Sequence, residues 1–422
     1  MSLATKPLLD RHIVLGITGG VAAYKAADLC RKLMDQGASV QVVMTPAATQ
    51  FVTPLTFQAL SGRPVITDAW DQSNSSIPNA MPHIEPSRHA AAIVIAPCTA
   101  DFMAKLAHGM GNDALSNLCL ARNSQQVPLL IAPAMNVEMW LNPATRRNLT
   151  TLQSDGIHIL GPAVGLQACG ETGAGRMLEP ADIVSELIAH FQPKVLAGKK
   201  VMVTAGPTFE PIDPVRGITN SSSGKMGYAV ARAAWELGAQ VTLISGPTAL
   251  ATPYGVARIN VRTAQEMYEA VMADIAQQDV FISVAAVADW RVEHPAEHKI
   301  KKNNTQTSGL SGLSGLSGLS GLSFVNNPDI LANVAALNKP PYCVGFAAET
   351  DQIVAYAQQK LEQKKLSMVV ANDARQALGS DASELTVITA AETIRFQQMP
   401  KQGSSLELMK LIAKNLNFRH IN

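Results

Sequence analysis

Residues 204–227, TAGPTFEPIDPVRGITNSSSGKMG, follow an apolar run ending at 200–203 (KVMV) and precede apolar residues at helical spacing over 226–237 (MGYAVARAAWEL). These are the parts of one strand–loop–helix unit, and a connection of this length inside a compact α/β unit is usually functional. Gly206, Arg216, Asn220, Ser221, Ser222, Ser223, Gly224 and Lys225 bring N–H groups, hydroxyls and cations to the start of a helix, which favours an anion. We expect a nucleotide or acyl phosphate there. The stretch is not a P-loop, because Lys225 follows a glycine but is itself followed by Met226. The competing reading is a long turn capped by its serines.

Outward from this unit, the chain alternates strands and helices on both sides. Residues 12–18 (HIVLGIT), 21–36 and 39–44 (SVQVVM) read as strand, helix and strand, with Gly19-Gly20 turning between the first two. That turn either cradles a phosphate or is a plain tight turn. The second strand ends in Thr45 instead of an acidic residue, which removes the usual partner of an NAD ribose. Strands over 90–96 (AAAIVIA) and 129–132 (LLIA) run into PCTAD, which holds Thr99, and PAMN, which holds Asn136. Small and polar residues at strand ends are where open α/β sheets bind ligands. Residues 165–177 (GLQACGETGAGRM) read as a mobile glycine-rich lid carrying Cys169, or as a flexible connector. A helix over 180–191 closes a first domain, 1–191, and 192–200 (QPKVLAGKK) is a linker.

In the second domain, 201–422, strands over 240–244 and 280–286 flank a helix over 264–277 and continue a parallel sheet. A strand through 285–290 (AAVADW) ends in Asp289, a carboxylate suited to Mg²⁺ or a sugar hydroxyl, and KIKK, beginning at Lys299, follows it. The S-G-L triplets of 307–323 read as a flexible loop. Asn327-Pro328-Asp329-Ile330 starts a helix, and Lys360 and Lys364 share one face of another over 351–365. Strands over 342–347 and 367–371, a hairpin over 385–396 and a helix over 406–416 complete the chain. The expected fold is α/β, with two doubly wound Rossmann-like domains: a flavodoxin-like first domain and a nucleotide-binding second one.

Composition narrows the function classes. The 422 residues are 47% apolar and only 16% charged, below the roughly 25% of an average protein, which suits a homo-oligomer with large buried interfaces. A net charge of +1 with dispersed basic residues excludes the footprint of a nucleic-acid binder. Five cysteines without metal-ligand spacing fit a reducing cytoplasm. No run is long and apolar enough to span a bilayer.

The motifs Gly19-Gly20, PHIE (82–85), PAMNVEMW (133–140) and ACGETGAGRM (168–177) resemble flavin-dependent cysteine decarboxylases. TAGPT, DPVRGITNSSSGKMG, AAVADW, KIKK, NPDI and GFAAET resemble the ligase that joins cysteine to phosphopantothenate. Together they are similar, over nearly the whole chain, to the bifunctional phosphopantothenoylcysteine decarboxylase and phosphopantothenate–cysteine ligase family of bacterial coenzyme A synthesis. The resemblance implies FMN, CTP and Mg²⁺, with 4′-phosphopantothenate and cysteine as substrates. In the first half, Gly19, Gly20, Thr45 and Thr99 are the candidate flavin contacts. His83 is the catalytic histidine, Asn136 holds the substrate carboxylate, and Cys169 protonates the enethiol left after CO₂ departs. FMN supplies the electron sink.

In the second half, the resemblance assigns Asn220 to an acyl-cytidylate and Arg216 to its binding and conversion. Lys299 goes to the reacting phosphate. Asp289, Asn327, Pro328, Asp329, Ile330, Phe346, Lys360 and Lys364 form the CTP site, with Asp289 on the metal. Trimeric decarboxylase contacts and dimeric ligase contacts are expected. Cys98 departs from the family's usual alanine or serine, and the S-G-L run from its more varied segment. The runner-up is a flavoprotein of this fold acting as a regulatory or binding subunit, against which the retained His83, Asn136 and Cys169 argue.

Overall fold

The run at 12–17 is apolar because its strand is covered on both faces. In the computed structural model, which describes residues 6–69, 84–300, 322–349, 352–373 and 380–419, β1 (His12–Ile17) lies between β2 (Ser39–Met44) and β3 (Ala92–Cys98), parallel to both. Ile13, Val14, Leu15 and Ile17 are fully buried, as strands sandwiched by helices require. With β4 (Leu129–Pro133) and β5 (His158–Ile159) the order is β2-β1-β3-β4-β5, the flavodoxin-like doubly wound arrangement. The helix Lys25–Asp35 buries Ala26, Leu29, Cys30 and Leu33, a stripe at three- and four-residue spacing.

The glycine-rich 165–177 segment has secondary structure of its own and is not an irregular connector. β6 (Ala163–Leu166) and β7 (Thr172–Arg176) form an antiparallel hairpin with Cys169 in its turn, and the Met135 N–H donates to the Gly175 carbonyl at 2.9 Å, docking the hairpin beside the end of β4. The helix Pro180–His190 follows.

Residues Thr5–Phe191 form one compact unit and Gln192–Asn422 belong to the other. The expected linker is already part of the second core: Leu196 is buried, and Lys194 donates to the Glu236 carbonyl at 2.9 Å. β8 (Lys200–Ala205) begins that unit's sheet. The 204–227 stretch then folds into a hairpin of β9 (Phe209–Asp213) and β10 (Arg216–Thr219) before the helix Lys225–Glu236. That helix starts from Gly224, whose left-handed conformation (φ +77°) replaces a side-chain cap. The serine-capped turn is therefore not what forms; Ser222 only accepts from the Gly224 N–H.

The other strands are β11 (Gln240–Ser245), β12 (Ala257–Asn260), β13 (Val280–Ser283), β14 (Trp290–Val292), β15 (Phe324–Asn326), β16 (Tyr342–Glu349), β17 (Met368–Asp373), β18 (Ala382–Ile388) and β19 (Thr393–Pro400). They order as β12-β11-β8-β13-β16-β17-β18-β19, with a short separate β14-β15 pair. Counting from β8, the first six follow the 3-2-1-4-5-6 order of a dinucleotide-binding sheet, parallel throughout. The last two strands are antiparallel additions. Asp289 does not end a strand: β13 stops at Ser283, and Asp289 stands in the connection to β14. The helices Ala264–Asp274, Ile330–Ala335, Ile353–Gln363 and Lys401–Arg419 complete the unit.

Candidate active sites

In the first unit the carboxyl ends of β1, β2, β3 and β4 open into one cavity of about 1160 Å³. This exceeds the roughly 300–1,000 Å³ of a single drug-sized ligand site. Gly19, Gly20, Thr45, Thr99, Asn136 and Cys169, spread over 150 positions of sequence, all line it. The order of strands reverses between β1 and β3, and Thr18 ties that point together: its buried hydroxyl donates to the Pro97 carbonyl at 2.9 Å and accepts from the Thr99 N–H at 3.0 Å. Thr99 and Asn136 cap helices there, accepting from the Phe102 N–H at 3.3 Å and the Met139 N–H at 2.9 Å. Helix starts therefore face the cavity and favour an anion.

Gly19 is required by packing. A methyl group on it would stand 2.4 Å from the Ala47 side chain and 2.8 Å from the Ala47 carbonyl carbon, so only glycine lets the β1 and β2 ends meet.

At the hairpin turn Glu171 joins two of the expected residues. Its Oε2 accepts from Asn136 Nδ2 at 3.3 Å and from Cys169 Sγ at 3.4 Å. Gln167 braces the same turn, accepting from the Val137 N–H at 2.9 Å and donating to the Ala174 carbonyl at 3.2 Å. A further cluster, also partly on the cavity wall, pairs Lys25 (2.7 Å) and Arg176 (3.2 Å) with Glu179. Cys169 is exposed, whereas Cys30, Cys98, Cys119 and Cys343 are buried. Cys98 does not line the cavity; it packs in the core, where burial pushes its thiol well up. His83 lies outside the described residues.

In the second unit the strand order reverses between β8 and β13, and site residues gather on the backbone beyond both. Asn220 Nδ2 donates to the Ala286 carbonyl at 2.9 Å. Asn327 Nδ2 donates to the Ala288 carbonyl, and its N–H to the Asp289 carbonyl, each at 2.8 Å. Asn220, Asp289 and Asn327 are thereby neighbours along 286–289. Gly246, after β11, must be glycine, since a methyl there would overlap the Pro207 carbonyl at 1.7 Å.

Asp329 caps the helix Ile330–Ala335 and pairs with Lys364 at 2.5 Å. Although its partial burial opposes ionisation, the Lys364 contact leaves its carboxyl below the usual range. Lys360 donates to the Phe346 carbonyl at 2.6 Å. The two lysines do share a helix face, yet here each has a protein partner and does not stand as an open clamp. Lys225 likewise pairs with Asp381 at 2.6 Å. Pro328 is half-buried beside them and Ile330 is buried in the core.

Arg216 and the backbone of Ile300, next to Lys299, meet around a residue the sequence reading passed over. Buried Asp213 accepts from the Val215 and Arg216 N–H groups at 2.9 Å through Oδ1, and from Arg216 Nε, Arg216 Nη2 and the Ile300 N–H through Oδ2. The Arg216 guanidinium first, and these N–H groups after it, hold its carboxyl well below the usual range. Among the described residues no group of three His, Cys, Asp or Glu side chains is arranged to hold a metal, and no helix is long and apolar enough to cross a membrane.

The sequence comparisons agree with this division. Residues 2–192 match the family described as Flavoprotein, and residues 196–416 match the DNA/pantothenate metabolism flavoprotein C-terminal domain. The coenzyme A biosynthesis bifunctional protein CoaBC of Vibrio parahaemolyticus is 49% identical over 409 residues, covering 96% of this chain and 98% of that protein. The chain belongs to the CoaBC family of bifunctional coenzyme A biosynthesis proteins. CoaBC of Bacillus subtilis is 43% identical, covering 96% of this chain and 97% of that one. The crystal structure of a CoaBC C-terminal domain is 37% identical, covering 53% of this chain and 98% of that one, with a TM-score of 0.44.

Two residues of this CoaBC family member had readable signals. Glu171 stands inside the quoted ACGETGAGRM segment, where the glycines and the thiol drew the reading. Asp213 opens DPVRG, an Asp-Pro turn whose side chain bonds the backbone two residues on.

Proposed function

We propose that the chain catalyses two steps of coenzyme A synthesis: CTP-dependent joining of cysteine to 4′-phosphopantothenate through an acyl-cytidylate, then FMN-dependent decarboxylation of the product to 4′-phosphopantetheine. The observation that carries this reading is the convergence of Gly19, Gly20, Thr45, Thr99, Asn136 and Cys169 on one cavity large enough for a flavin and a second ligand. A binding subunit would need the pocket but not an exposed thiol bonded into it.

In the first unit, Gly19 and Gly20 would receive the FMN phosphate, with the Thr45 and Thr99 hydroxyls beside it. Bound FMN supplies the electron sink for the loss of CO₂ and returns the hydride. Asn136 would turn its amide from Glu171 to the substrate carboxylate. Cys169 would give its proton to the enethiol carbon, with His83 completing the site.

In the second unit, the substrate carboxylate attacks the α-phosphate of CTP, pyrophosphate leaves, and the cysteine amine then displaces CMP. Asn220 would hold the acyl-cytidylate, and Lys299 would offset charge on the reacting phosphate. Asp289 would hold Mg²⁺ together with the nucleotide phosphates, since Mg²⁺ commonly takes one or two carboxylates and keeps its other ligands from phosphate and water. Asn327, Pro328, Asp329, Ile330 and Phe346 would line the nucleotide, with Lys360 and Lys364 exchanging their present partners for its phosphates. Exposed Val21, Tyr24 and Leu166 on the first cavity's wall support a homo-oligomer in which a second copy covers that mouth.

The test is to supply 4′-phosphopantothenate, cysteine, CTP and Mg²⁺ and follow CMP and CO₂. The expected result is equal release of both from the native protein. Cys169→Ser should release CO₂ but accumulate the enethiol. Lys299→Gln should block cytidylate formation, and Asn220→Asp should block its transfer to cysteine. CMP without CO₂ from flavin-loaded native protein would overturn the decarboxylase half, and no CMP would overturn the ligase half; no CO₂ from 4′-phosphopantothenoylcysteine supplied directly would overturn the decarboxylase half by itself.

A further inference from the structure

Arg216 and Lys299 both serve the ligase reaction in the reading above, but their surroundings differ. Lys299 is exposed, and the structure bonds its neighbour Ile300 through both of its backbone groups: its N–H donates to Asp213 Oδ2 at 3.2 Å and its carbonyl accepts from Arg216 Nη2 at 2.8 Å. Four residues earlier, the Ala296 N–H donates to the Ile212 carbonyl at 2.9 Å. The 296–300 segment is thus laid along the β9–β10 hairpin and held at its far end by two charged groups.

The chemistry of that end is specific. Asp213 Oδ2 faces three donors: Arg216 Nε, Arg216 Nη2 and the Ile300 N–H. With the Val215 and Arg216 N–H groups on Oδ1, both oxygens act as acceptors, which an ionised carboxylate does and a side-chain amide cannot. Arg216 spends Nε and Nη2 on Asp213, and Nη2 also reaches Ile300. A lysine ammonium could keep the charge, but not this planar two-point contact.

We infer that the Asp213–Arg216 pair is a latch that docks the 296–300 segment and so positions Lys299 for the reacting phosphate. Asp213 is a positioning residue in this scheme, and Arg216 acts in the conversion step through Lys299. No covalent change is involved; the latch sets the fraction of molecules in which Lys299 stands ready. The kinetic consequence rests on the ligase reading of the second unit, whereas the docking itself does not.

The experiment compares the full-length native protein with Asp213→Asn and Arg216→Lys. Asp213→Asn keeps shape and packing but sets an N–H₂ group against donors on one side or the other. Arg216→Lys changes a half-exposed side chain, so the fold is not at risk. The first readout, without substrate, is the rate of tryptic cleavage at the Lys299–Ile300 bond by mass spectrometry. Both variants should be cut about tenfold faster or more, because cleavage follows local opening. The second is single-turnover cytidylate formation with CTP and 4′-phosphopantothenate. It should fall about a hundredfold, while CTP affinity stays within about threefold, since the groups assigned to the nucleotide are untouched.

Unchanged protection of the Lys299–Ile300 bond in both variants overturns the latch. Lost protection with cytidylate formation at the native rate overturns its role in positioning Lys299. If the native protein itself forms no cytidylate, the ligase reading fails, and the cleavage result still decides whether the docking exists.

Discussion

Replacing Gly19 by alanine isolates the contact on which the first cavity depends. The added methyl would lie 2.4 Å from the Ala47 side chain, 2.8 Å from its carbonyl carbon and 3.0 Å from its oxygen. Two of these are backbone atoms, so no rotamer change relieves the clash, and the end of β1 or the 45–47 turn must shift. Overpacking of this kind costs about 1–3 kcal/mol. For a unit of this size that corresponds to a fall of about 2–12 °C in Tm. Thr45, Pro46 and Ala47 are cavity wall, so if the cost falls on the FMN-bound geometry, FMN affinity drops about 5- to 150-fold.

Gly20→Ala is the internal control. Gly20 has extended backbone (φ −170°), and its added methyl would meet only Thr99 Cγ2 at 3.6 Å, an ordinary contact. In the flavin-free protein its Tm should stay level or rise slightly, because alanine restricts the unfolded chain. The assays are thermal unfolding of the flavin-free proteins and fluorescence titration of Gly19→Ala with FMN. A flavin-free Gly19→Ala protein as stable as the native one, or a Gly20→Ala protein destabilised more than Gly19→Ala, would refute the packing argument.

Three further outcomes are expected. Iodoacetamide at pH 8 should label the native protein at Cys169 first, since burial pushes Cys30 up to about 11 and Cys119 up to about 12, leaving a thiolate fraction of about 10⁻³ and 10⁻⁴; peptide mapping that finds equal labelling of a buried cysteine contradicts this. Glu171→Gln should raise the rate of Cys169 labelling by anionic iodoacetate relative to neutral iodoacetamide by about fivefold, because a carboxylate 3.4 Å from the sulfur is removed; an unchanged ratio would mean that the contact is not kept in solution. Separate polypeptides 1–191 and 192–422 should each fold and keep one activity, while a version of the second starting at Lys200 should lose about 2 kcal/mol in denaturant titration, because it lacks buried Leu196; equal stability of the two versions would place 192–199 outside the second core.

Much of the architecture was legible because it depends on patterns local in the chain. A strand covered on both faces needs an unbroken apolar run, so 12–18, 90–96 and 200–203 announced themselves, and the stripe on Lys25–Asp35 needs only three- and four-residue spacing. The short connections misled. The 165–177 segment could be read as an irregular connector because glycine allows many conformations, and it forms a hairpin whose second strand is bonded by a distant backbone group, the Met135 N–H to the Gly175 carbonyl. The serines of 221–223 looked like caps, but a left-handed glycine starts the helix instead. A strand through 280–286 was expected from apolar content alone; the regular strand ends at Ser283, one further parallel bridge joins Ala286 to Pro207, and Asp289 is left in a connection.

The site residues divide in the same way. Residue type and motif were enough to nominate Gly19, Asn136, Cys169, Asn220 and Lys299, because the chemistry a side chain offers is written in its identity. Which of them touch was not, since contact depends on where sheet order brings strand ends. The reversal between β1 and β3 carries Thr18 to Pro97 and Thr99, about eighty residues away. Partners also change what a residue is available to do: Lys364 and Lys225 read as free cations, but each stands on a carboxylate supplied by another part of the chain. Asp213 shows the limit most plainly. Its Asx turn is local and could have been read, but its hold on Ile300 spans 87 positions and exists only once β9, β10 and the 296–300 segment are packed together.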